Sequence, residues 1–305
     1  MPARAELAPS AHGGAPAEHT LGRGKSLPRP RLSGTVPRPF VFLRKTVWFF
    51  MPPPRRIQLS QDMLIAVFGD SWPAEDVSAA AELLAGGEGR FPSGIRSLPS
   101  DLVRAVQRER LLAATMRASA ELGYEEFSVQ DVLDRAGVSR PTFYEHFANK
   151  EDGFLAAFDA ATLRLLSRLE RAGGSESESW RERLRLSLEE LLRFVREEPD
   201  AAMTLVVDSR AATPAAMQRR DELLERLADC LDTEVRAGIS EAPAPSAISA
   251  AGIVGGIESL LYSRLYRGEG DDLGSLLPSL MYFAVLPYEG HEAASEEMNA
   301  ATTVG

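Results

Sequence analysis

Residues that build disulfides, metal sites and catalytic pairs are scarce in this chain of 305 residues. The single cysteine, Cys230, cannot form an internal disulfide, and its place on an apolar helix face predicts a buried thiol in a reducing compartment, the cytoplasm. The four histidines are scattered along the chain: His12, His19, His146 and His291. This spread predicts no metal cluster and no pairing of a nucleophile with a base. We therefore expect no catalytic residue, no metal and no cofactor, which argues against an enzyme.

Long apolar runs are also missing. The longest run near the N-terminus, FVFLRKTVWFFM at residues 40–51, is too short to cross a bilayer and is broken by Arg44 and Lys45, so we expect no membrane partner. No small-residue cleavage site follows it, which argues against a signal peptide. The glycines of GIVGGIESL at residues 252–260 are out of register with a dinucleotide-binding loop, and no strand precedes them.

Positive charge is scarce overall, because the formal net charge is −10 at pH 7. Basic residues are nevertheless concentrated at the start, where residues 1–50 hold eight Lys or Arg and two Glu. The excess of acidic residues therefore lies further along the chain. This uneven distribution is compatible with a DNA-binding part joined to a domain that touches no DNA.

Alternating strand patterns of any length are absent, so the predicted class is all-α. Residues 1–99 are rich in Pro, Gly, Ala and Arg over their first half, and we predict a largely disordered extension with room for short helices. Met51 and Met63 are alternative translation starts within it.

Three helices are predicted between residues 100 and 150. Each is expected to begin at a serine, Ser100, Ser128 or Ser139, whose side chain caps the first turn. The first two are expected to end at Gly123 and Gly137. The short connection AGVS between the second and third helices is typical of the helix-turn-helix motif, in which the second helix braces the third at a steep angle.

The third helix, in SRPTFYEHF at residues 139–147, has two different faces. Phe143 and Phe147 are four residues apart and are predicted to point inward. The polar residues around them are predicted to point sideways or outward: Arg140, Thr142, Tyr144 and His146. These side chains supply donors for base edges and phosphates. The alternative is an ordinary surface face of a helical bundle.

Residues 108–158, RERLLAATMRASAELGYEEFSVQDVLDRAGVSRPTFYEHFANKEDGFLAAF, resemble the DNA-binding domain of the TetR family of transcription regulators. The glycine, the turn, the TFYEHF core and the lysine after it match in order. The C-terminal region is similar only in the number and length of its helices and in LPSLMYFAVLPY at residues 277–288. The resemblance implies a homodimer whose third helices enter the major grooves of a palindromic operator, and a C-terminal domain whose small-molecule effector releases the DNA.

The resemblance also implies which residues contact DNA. It assigns the base-reading contacts to Arg140, Pro141 and Thr142. It assigns contacts to phosphate or flanking bases to Tyr144, His146 and Lys150, and contacts from the second helix to Ser128 and Gln130. Glu145 stands where family members vary, and a carboxylate beside phosphates is unfavourable unless it accepts from a cytosine amino group or pairs with a neighbour.

Two interpretations remain open for the basic residues at the start of this region, which are Arg90, Arg96, Arg104 and Arg108. They could form an arm that follows the minor groove beside the site. They could instead belong to a solvated linker and helix face.

Beyond the motif, the same signals predict further helices, which are expected to begin at Lys150, Trp180, Pro214, Ser246 and Asp271. Pro199, Gly238 and Pro287 are expected to end the second, third and last of them. Small residues at 251–256 suit a dimer interface built from the last two long helices, or close packing inside one subunit.

The sequence thus predicts a helix-turn-helix DNA-binding domain at residues 100–150, an all-helical ligand-binding and dimerisation domain at 151–290, and a disordered tail at 291–305. The predicted function is that of a transcription regulator, a repressor that an effector releases from its operator. Two alternatives remain: a TetR-like regulator without an effector, and a helical dimerisation module that no longer reads DNA.

Overall fold

The computed structural model describes residues 99–173, 179–239, 247–270 and 272–304. Within these ranges the chain forms α-helices, short 3-10 turns and no strand, which confirms the all-α class. The predicted N-terminal extension, apart from Pro99, lies outside the described residues. None of the helices in these ranges is both long and apolar enough to cross a membrane.

The first described range contains four helices: α1 at Ser100–Leu122, α2 at Val129–Ala136, α3 at Arg140–His146 and α4 at Lys150–Ala172. The three helices predicted before residue 150 are confirmed, and α1 and α2 end at Gly123 and Gly137 as expected. The predicted cap at Ser100 is wrong. Pro99 occupies the cap position and makes no side-chain hydrogen bond there, while Ser100 is already helical.

Five further helices lie in the remaining described ranges: α5 at Trp180–Glu197, α6 at Pro199–Val206, α7 at Pro214–Gly238, α8 at Ala247–Tyr266 and α9 at Leu277–Val304. A 3-10 turn precedes α7 at Asp208–Arg210, and another precedes α9 at Leu273–Leu276. The expected start of α7 is confirmed, because the Thr213 side chain accepts a hydrogen bond from the amide of Ala216 at 3.2 Å.

Pro199 both follows the end of α5 and begins α6, a helix that the sequence did not predict. Proline is favourable at the first helical position, because its missing N–H has no partner there in any helix. The sequence predicted only that α5 ends at this proline. Only packing on both sides of this short helix, whose residues 200–205 are all buried, makes it stable.

The last helix continues further than the sequence predicted. Pro287 lies inside α9, and the residue with a non-helical backbone is Gly290, at φ 81° and ψ −174°. The helix is therefore kinked at the glycine instead of ending at the proline. The predicted disordered tail is also wrong over the described residues, since α9 runs on to Val304 with Ala294 and Ala301 buried.

Cys230 is exposed, so the prediction of a buried thiol is wrong. On α7 the buried face runs through Ala228 and Val235. Cys230 is two residues beyond Ala228, and at 100° of rotation per residue it lies on the opposite side of the helix.

One continuous apolar core joins the first helices to the last ones. On α4, Phe154 and Phe158 are almost fully buried, and they belong to the same cluster as Phe143 of α3 and Phe194 of α5. Because α4 packs against helices on both sides of residue 150 in the sequence, the domain boundary at that position stays a prediction.

A buried polar contact connects α1 to the helices that follow. The hydroxyl of Ser119 donates to Oδ2 of Asp208 at 2.8 Å, and both side chains are almost fully buried. Asp200, in the first turn of α6, is 8% exposed and lies under the electrostatic influence of Arg117, Glu121 and Asp208. Burial raises the pKa of Asp200 to about 6, because a site removed from water penalises the charged carboxylate.

We expect Asp200→Asn to remove a pH-dependent part of the stability. The folded chain holds this proton up to about pH 6, whereas a free Asp releases it near pH 3.8. As the pH rises between those values, the folded state therefore loses about 2 to 3 kcal/mol relative to the unfolded state. The neutral Asn variant should gain that amount over the wild type between pH 4 and pH 6.5, as measured by chemical denaturation.

The control for this measurement is Asp229→Asn, at an exposed position on α7. Its unfolding free energy should follow that of the wild type at every pH. Parallel curves for Asp200→Asn and the wild type would contradict the raised pKa.

Candidate nucleic-acid interface

The turn between α2 and α3 depends on the backbone of Gly137. This residue lies in the left-handed region, at φ 66° and ψ 31°, and its N–H donates to the carbonyl of Leu133 at 2.8 Å. A residue with a Cβ is disfavoured in that region, so glycine closes α2 at little cost. The backbone then reverses in two residues, and α3 begins at Arg140. This is the helix-turn-helix connection that the sequence predicted.

Ser128 caps α2 in the predicted way. Its Oγ accepts from the amide of Asp131 at 3.3 Å, and the carboxylate of Asp131 accepts from the Ser128 amide at 2.8 Å. The two residues thus satisfy each other's free backbone donors in a capping box. The pKa of Asp131 is held below its usual range, chiefly because its carboxylate accepts hydrogen bonds from the Ser128 side chain and backbone.

The inward face of α3 is formed by the two phenylalanines. Phe143 is 1% exposed and Phe147 is 3% exposed, with ring centroids 5.5 Å apart. Ser139 caps this helix by accepting from the amide of Thr142 at 3.3 Å, and Pro141 lies in the first turn, where no intrahelical donor is lost. The predicted orientation of α3 is confirmed.

Four of the predicted contact residues share one exposed surface. Arg140, Pro141 and Gln130 are exposed, and Tyr144 is 50% exposed. Nη2 of Arg140 donates to Oε1 of Gln130 at 2.9 Å, so α2 and α3 present these two side chains together. Thr142 is only partly exposed, and its hydroxyl lies 2.8 Å from that of Ser139.

His146 lies at the other end of α3 and is partly buried. Burial lowers its pKa, and the neighbouring Arg104 and Arg108 of α1 lower it further, while Glu145 acts in the opposite direction. Its Nε2 is buried and has no hydrogen-bond partner among the described residues. A lowered pKa makes His146 a weaker cationic partner for a phosphate than an ordinary imidazole, and Arg104 and Arg108 bring guanidinium groups beside it.

Those cations are the two residues of the basic arm that the structure describes. Arg104 is exposed and donates to the backbone carbonyl of Glu145 at 3.4 Å, while the guanidinium of Arg108 lies 5.3 Å from the centre of the Phe147 ring. Arg90 and Arg96 lie outside the described residues. The sequence left open whether Arg104 and Arg108 follow the minor groove or lie on a solvated helix face, and their i, i+4 spacing on α1 brings both beside the end of α3.

Glu145 is exposed beside these arginines. Its carboxylate forms no ion pair with any residue in the described part of the chain. Its backbone carbonyl accepts from Arg104, and its negative charge acts to raise the pKa of His146. The pairing that would have neutralised this charge is therefore not made in the described structure.

Lys150, the first residue of α4, places its side chain in the turn between α1 and α2. Its Nζ donates to the carbonyls of Tyr124 at 2.8 Å, Phe127 at 3.0 Å and Glu125 at 3.4 Å. Lys150 therefore lies next to Ser128, another predicted contact residue, with its donors on the backbone of the turn that precedes it.

A second concave site lies between α4 and α7. This cleft has a volume of about 410 Å³, which is in the range of small-molecule sites. Phe158 and Leu223 form the apolar part of its lining, and Arg219 and Arg226 also line it. The hydroxyl of Thr162, also at the cleft, is buried without a hydrogen-bond partner among the described residues.

Residues 111–157, which extend from α1 into α4, match the family model described as bacterial regulatory proteins, tetR family. Two relatives are similar in sequence over longer stretches. The HTH-type transcriptional activator FasR of Mycolicibacterium smegmatis is 30% identical over 151 residues, which cover 44% of this chain and 68% of FasR. The uncharacterised HTH-type transcriptional regulator YdgC of Bacillus subtilis is 28% identical over 185 residues, 59% of this chain and 93% of YdgC.

Among solved structures, the transcriptional regulator FadR of Bacillus subtilis, crystallised in complex with stearoyl-CoA, is similar with a TM-score of 0.52. The match covers 60% of this chain and 98% of FadR at 22% sequence identity. The FadR of Bacillus halodurans is similar with a TM-score of 0.51 at 19% identity, over 60% of this chain and 98% of that FadR. At these identities the likeness shows a common fold.

We expect Ser128→Ala to destabilise the chain by about 1 kcal/mol, because it removes the capping interaction at the start of α2. Chemical denaturation of the full chain measures this loss. Ser167→Ala, at an exposed serine in the middle of α4, is the matched control and should change the unfolding free energy by less than about 0.5 kcal/mol. Equal values for the two variants would show that the cap contributes nothing.

Proposed function

The chain belongs to the TetR family of bacterial transcription regulators, and on that premise we propose that it is a dimeric repressor which leaves a palindromic operator when a small-molecule effector binds. The observation that carries the proposal is the surface of α2 and α3, where Gln130, Arg140 and Tyr144 stand exposed while two phenylalanines hold α3 from within. A short helix presented in this way fits the major groove of B-DNA.

The contacts divide into base reading and backbone positioning. Arg140 has the donor geometry for the O6 and N7 atoms of guanine, and Pro141 and Thr142 stand beside it at the start of α3. Tyr144, His146 and the start of α2 at Ser128 are proposed to contact phosphates or flanking bases. Arg104 adds an exposed cation beside the end of α3.

The proposed dimer is formed by α8 and α9. Phe283 and Leu286, three residues apart on one face of α9, are 43% and 37% exposed. On α8, a Cβ added at Gly252 or Gly255 would meet no atom of the same chain within 4 Å. Small residues beside exposed apolar ones suit the close approach of a second copy of this chain.

The effector is proposed to bind in the cleft between α4 and α7. Phe158 and Thr162 line the cleft from α4, the helix that directly follows α3 in the chain. A change at the cleft would therefore act on the helix that supports α3. A ligand that binds more tightly when α4 is displaced shifts the population away from the DNA-binding form, and DNA weakens that ligand by the same factor.

We expect Arg140→Ala to weaken binding to the DNA upstream of the chain's own gene by about 10- to 100-fold at moderate salt, the effect of removing one bidentate hydrogen bond to a base. A mobility-shift titration with competitor DNA measures this. Arg171→Ala removes the same charge from an exposed position at the end of α4 and should bind like the wild type.

The outcome also separates the proposal from its alternative. If the wild type binds neither this fragment nor unrelated DNA more tightly than Arg140→Ala does, the chain is a dimerisation module that no longer reads DNA.

Stearoyl-CoA is the first compound to test, because a protein of the same fold was crystallised with it. At 100 times its dissociation constant, a ligand that binds only the folded chain stabilises it by about 2.7 kcal/mol, which a thermal-shift assay detects. The same concentration should release the DNA. We expect Arg226→Glu, at the cleft, to weaken both effects, whereas Arg171→Glu should leave them unchanged.

Coenzyme A alone and stearate alone are the comparison arms of this assay. If none of the three compounds shifts the melting temperature while the chain still binds DNA, the TetR-like regulator without this effector is favoured. An activating role is the second candidate for the direction of control, since the relative FasR is a transcriptional activator. A reporter placed behind the upstream fragment separates the two, because a repressor lowers its expression.

A further inference from the structure

The ammonium of Lys150 is held in a site built from backbone and aromatic rings. Its three acceptors are the carbonyls of Tyr124, Glu125 and Phe127, all in the turn between α1 and α2. The rings of Tyr124 and Phe127 lie 4.6 and 4.8 Å from Nζ, within the distance of a cation–π interaction. A lysine has three N–H donors and no acceptor, so this set of carbonyls uses all of them.

Aromatic side chains pack around this site and restrict its movement. Phe127 is 2% exposed, and Tyr124 packs edge-on against Phe127 and Phe154, with centroids 5.7 and 4.9 Å away. Burial lowers the pKa of Lys150, and the nearby Glu125 and Glu126 oppose that shift. The hydrogen bonds to the carbonyls of Tyr124 and Phe127 are partly buried, and partly buried carbonyls are costly to leave without their charged donor.

The position of the turn matters for the DNA-reading surface. The carbonyl of Phe127 is bonded directly to the amide nitrogen of Ser128, the residue that caps α2. Two residues further on, Gln130 accepts the hydrogen bond from Arg140. A clamp on Phe127 therefore sets where α2 begins, and through Gln130 it sets where Arg140 is held.

We infer that Lys150 is a positioning residue of the DNA-binding surface, which acts through the α1–α2 turn and α2 on Arg140, and that it makes no phosphate contact of its own. The inference rests on the proposed DNA-binding function and replaces the phosphate contact that the family resemblance implied for this residue. Contact with a phosphate would require Nζ to leave carbonyls that it already satisfies.

Amide hydrogen exchange of the full chain without DNA tests the clamp directly. Lys150→Met keeps the apolar stem of the side chain and removes its donors. We expect amides in residues 124–132 to exchange about tenfold faster or more, while amides in α5 stay as in the wild type. Arg104→Met, which removes an exposed cation near α3 and touches no atom of the turn, is the control and should leave residues 124–132 protected. Wild-type protection in Lys150→Met would overturn the inference.

Salt dependence of binding to the upstream DNA separates positioning from phosphate contact. The slope of log affinity against log salt changes by about 0.9 for each phosphate that the protein no longer neutralises. We expect Lys150→Met to bind about tenfold more weakly at every salt concentration with the slope of the wild type. Lys150→Arg should also bind more weakly, because a planar guanidinium cannot place its donors on three converging carbonyls.

The arginine variant keeps the inference testable if the methionine variant folds poorly. A phosphate contact would instead be preserved by arginine, so wild-type affinity in Lys150→Arg together with a flatter slope in Lys150→Met would overturn the inference. If the wild type itself fails to bind DNA, the proposed function fails, and the exchange measurement still decides whether Lys150 holds the turn.

Discussion

The packing of Phe143 and Phe147 against α4 decides what α3 can present. The helix has seven residues, so two inward rings fix both its position and its rotation about its own axis. Gly153 of α4 lies against both rings, since a Cβ there would be 3.4 Å from Phe143 and 3.7 Å from Phe147. The exposed positions of Arg140 and Tyr144 follow from this anchoring, and the contacts proposed from α3 to DNA depend on it.

The helix that receives those rings also connects the turn before α2 to the cleft beside α7. α4 begins at Lys150 with its ammonium in the α1–α2 turn, contributes Phe154 and Phe158 to the core, and lines the cleft with Thr162. Closely packed cores transmit displacement because their side chains have few alternative arrangements. In the proposed function, a ligand at the cleft and DNA at α3 would act on the same helix, and coupling between them requires two arrangements of that helix which both sites bias.

Local backbone chemistry was readable from the sequence, whereas distant contacts were not. Gly137 and Ser128 indicated the end and the start of α2, because left-handed backbone and capping hydrogen bonds involve residues only a few positions apart. The acceptors of Lys150 lie more than twenty residues away in the chain, and no spacing rule indicates them. The exposure of Cys230 and the burial of α6 likewise depend on which neighbours happen to cover each helix face. The prediction that Pro287 ends the last helix was wrong, because the change in helix direction occurs at Gly290, three residues later.

The hydrogen bond between Arg140 and Gln130 restricts the arginine before any DNA arrives. Fixing a long charged side chain costs up to about 2 kcal/mol in rotamer entropy, and the free protein has already lost part of that freedom. Binding to the correct base therefore requires less ordering, which favours affinity. If Arg140 reads a base as proposed, the same restraint would leave its guanidinium fewer conformations in which to fit a wrong base, and it would thereby favour discrimination between sequences.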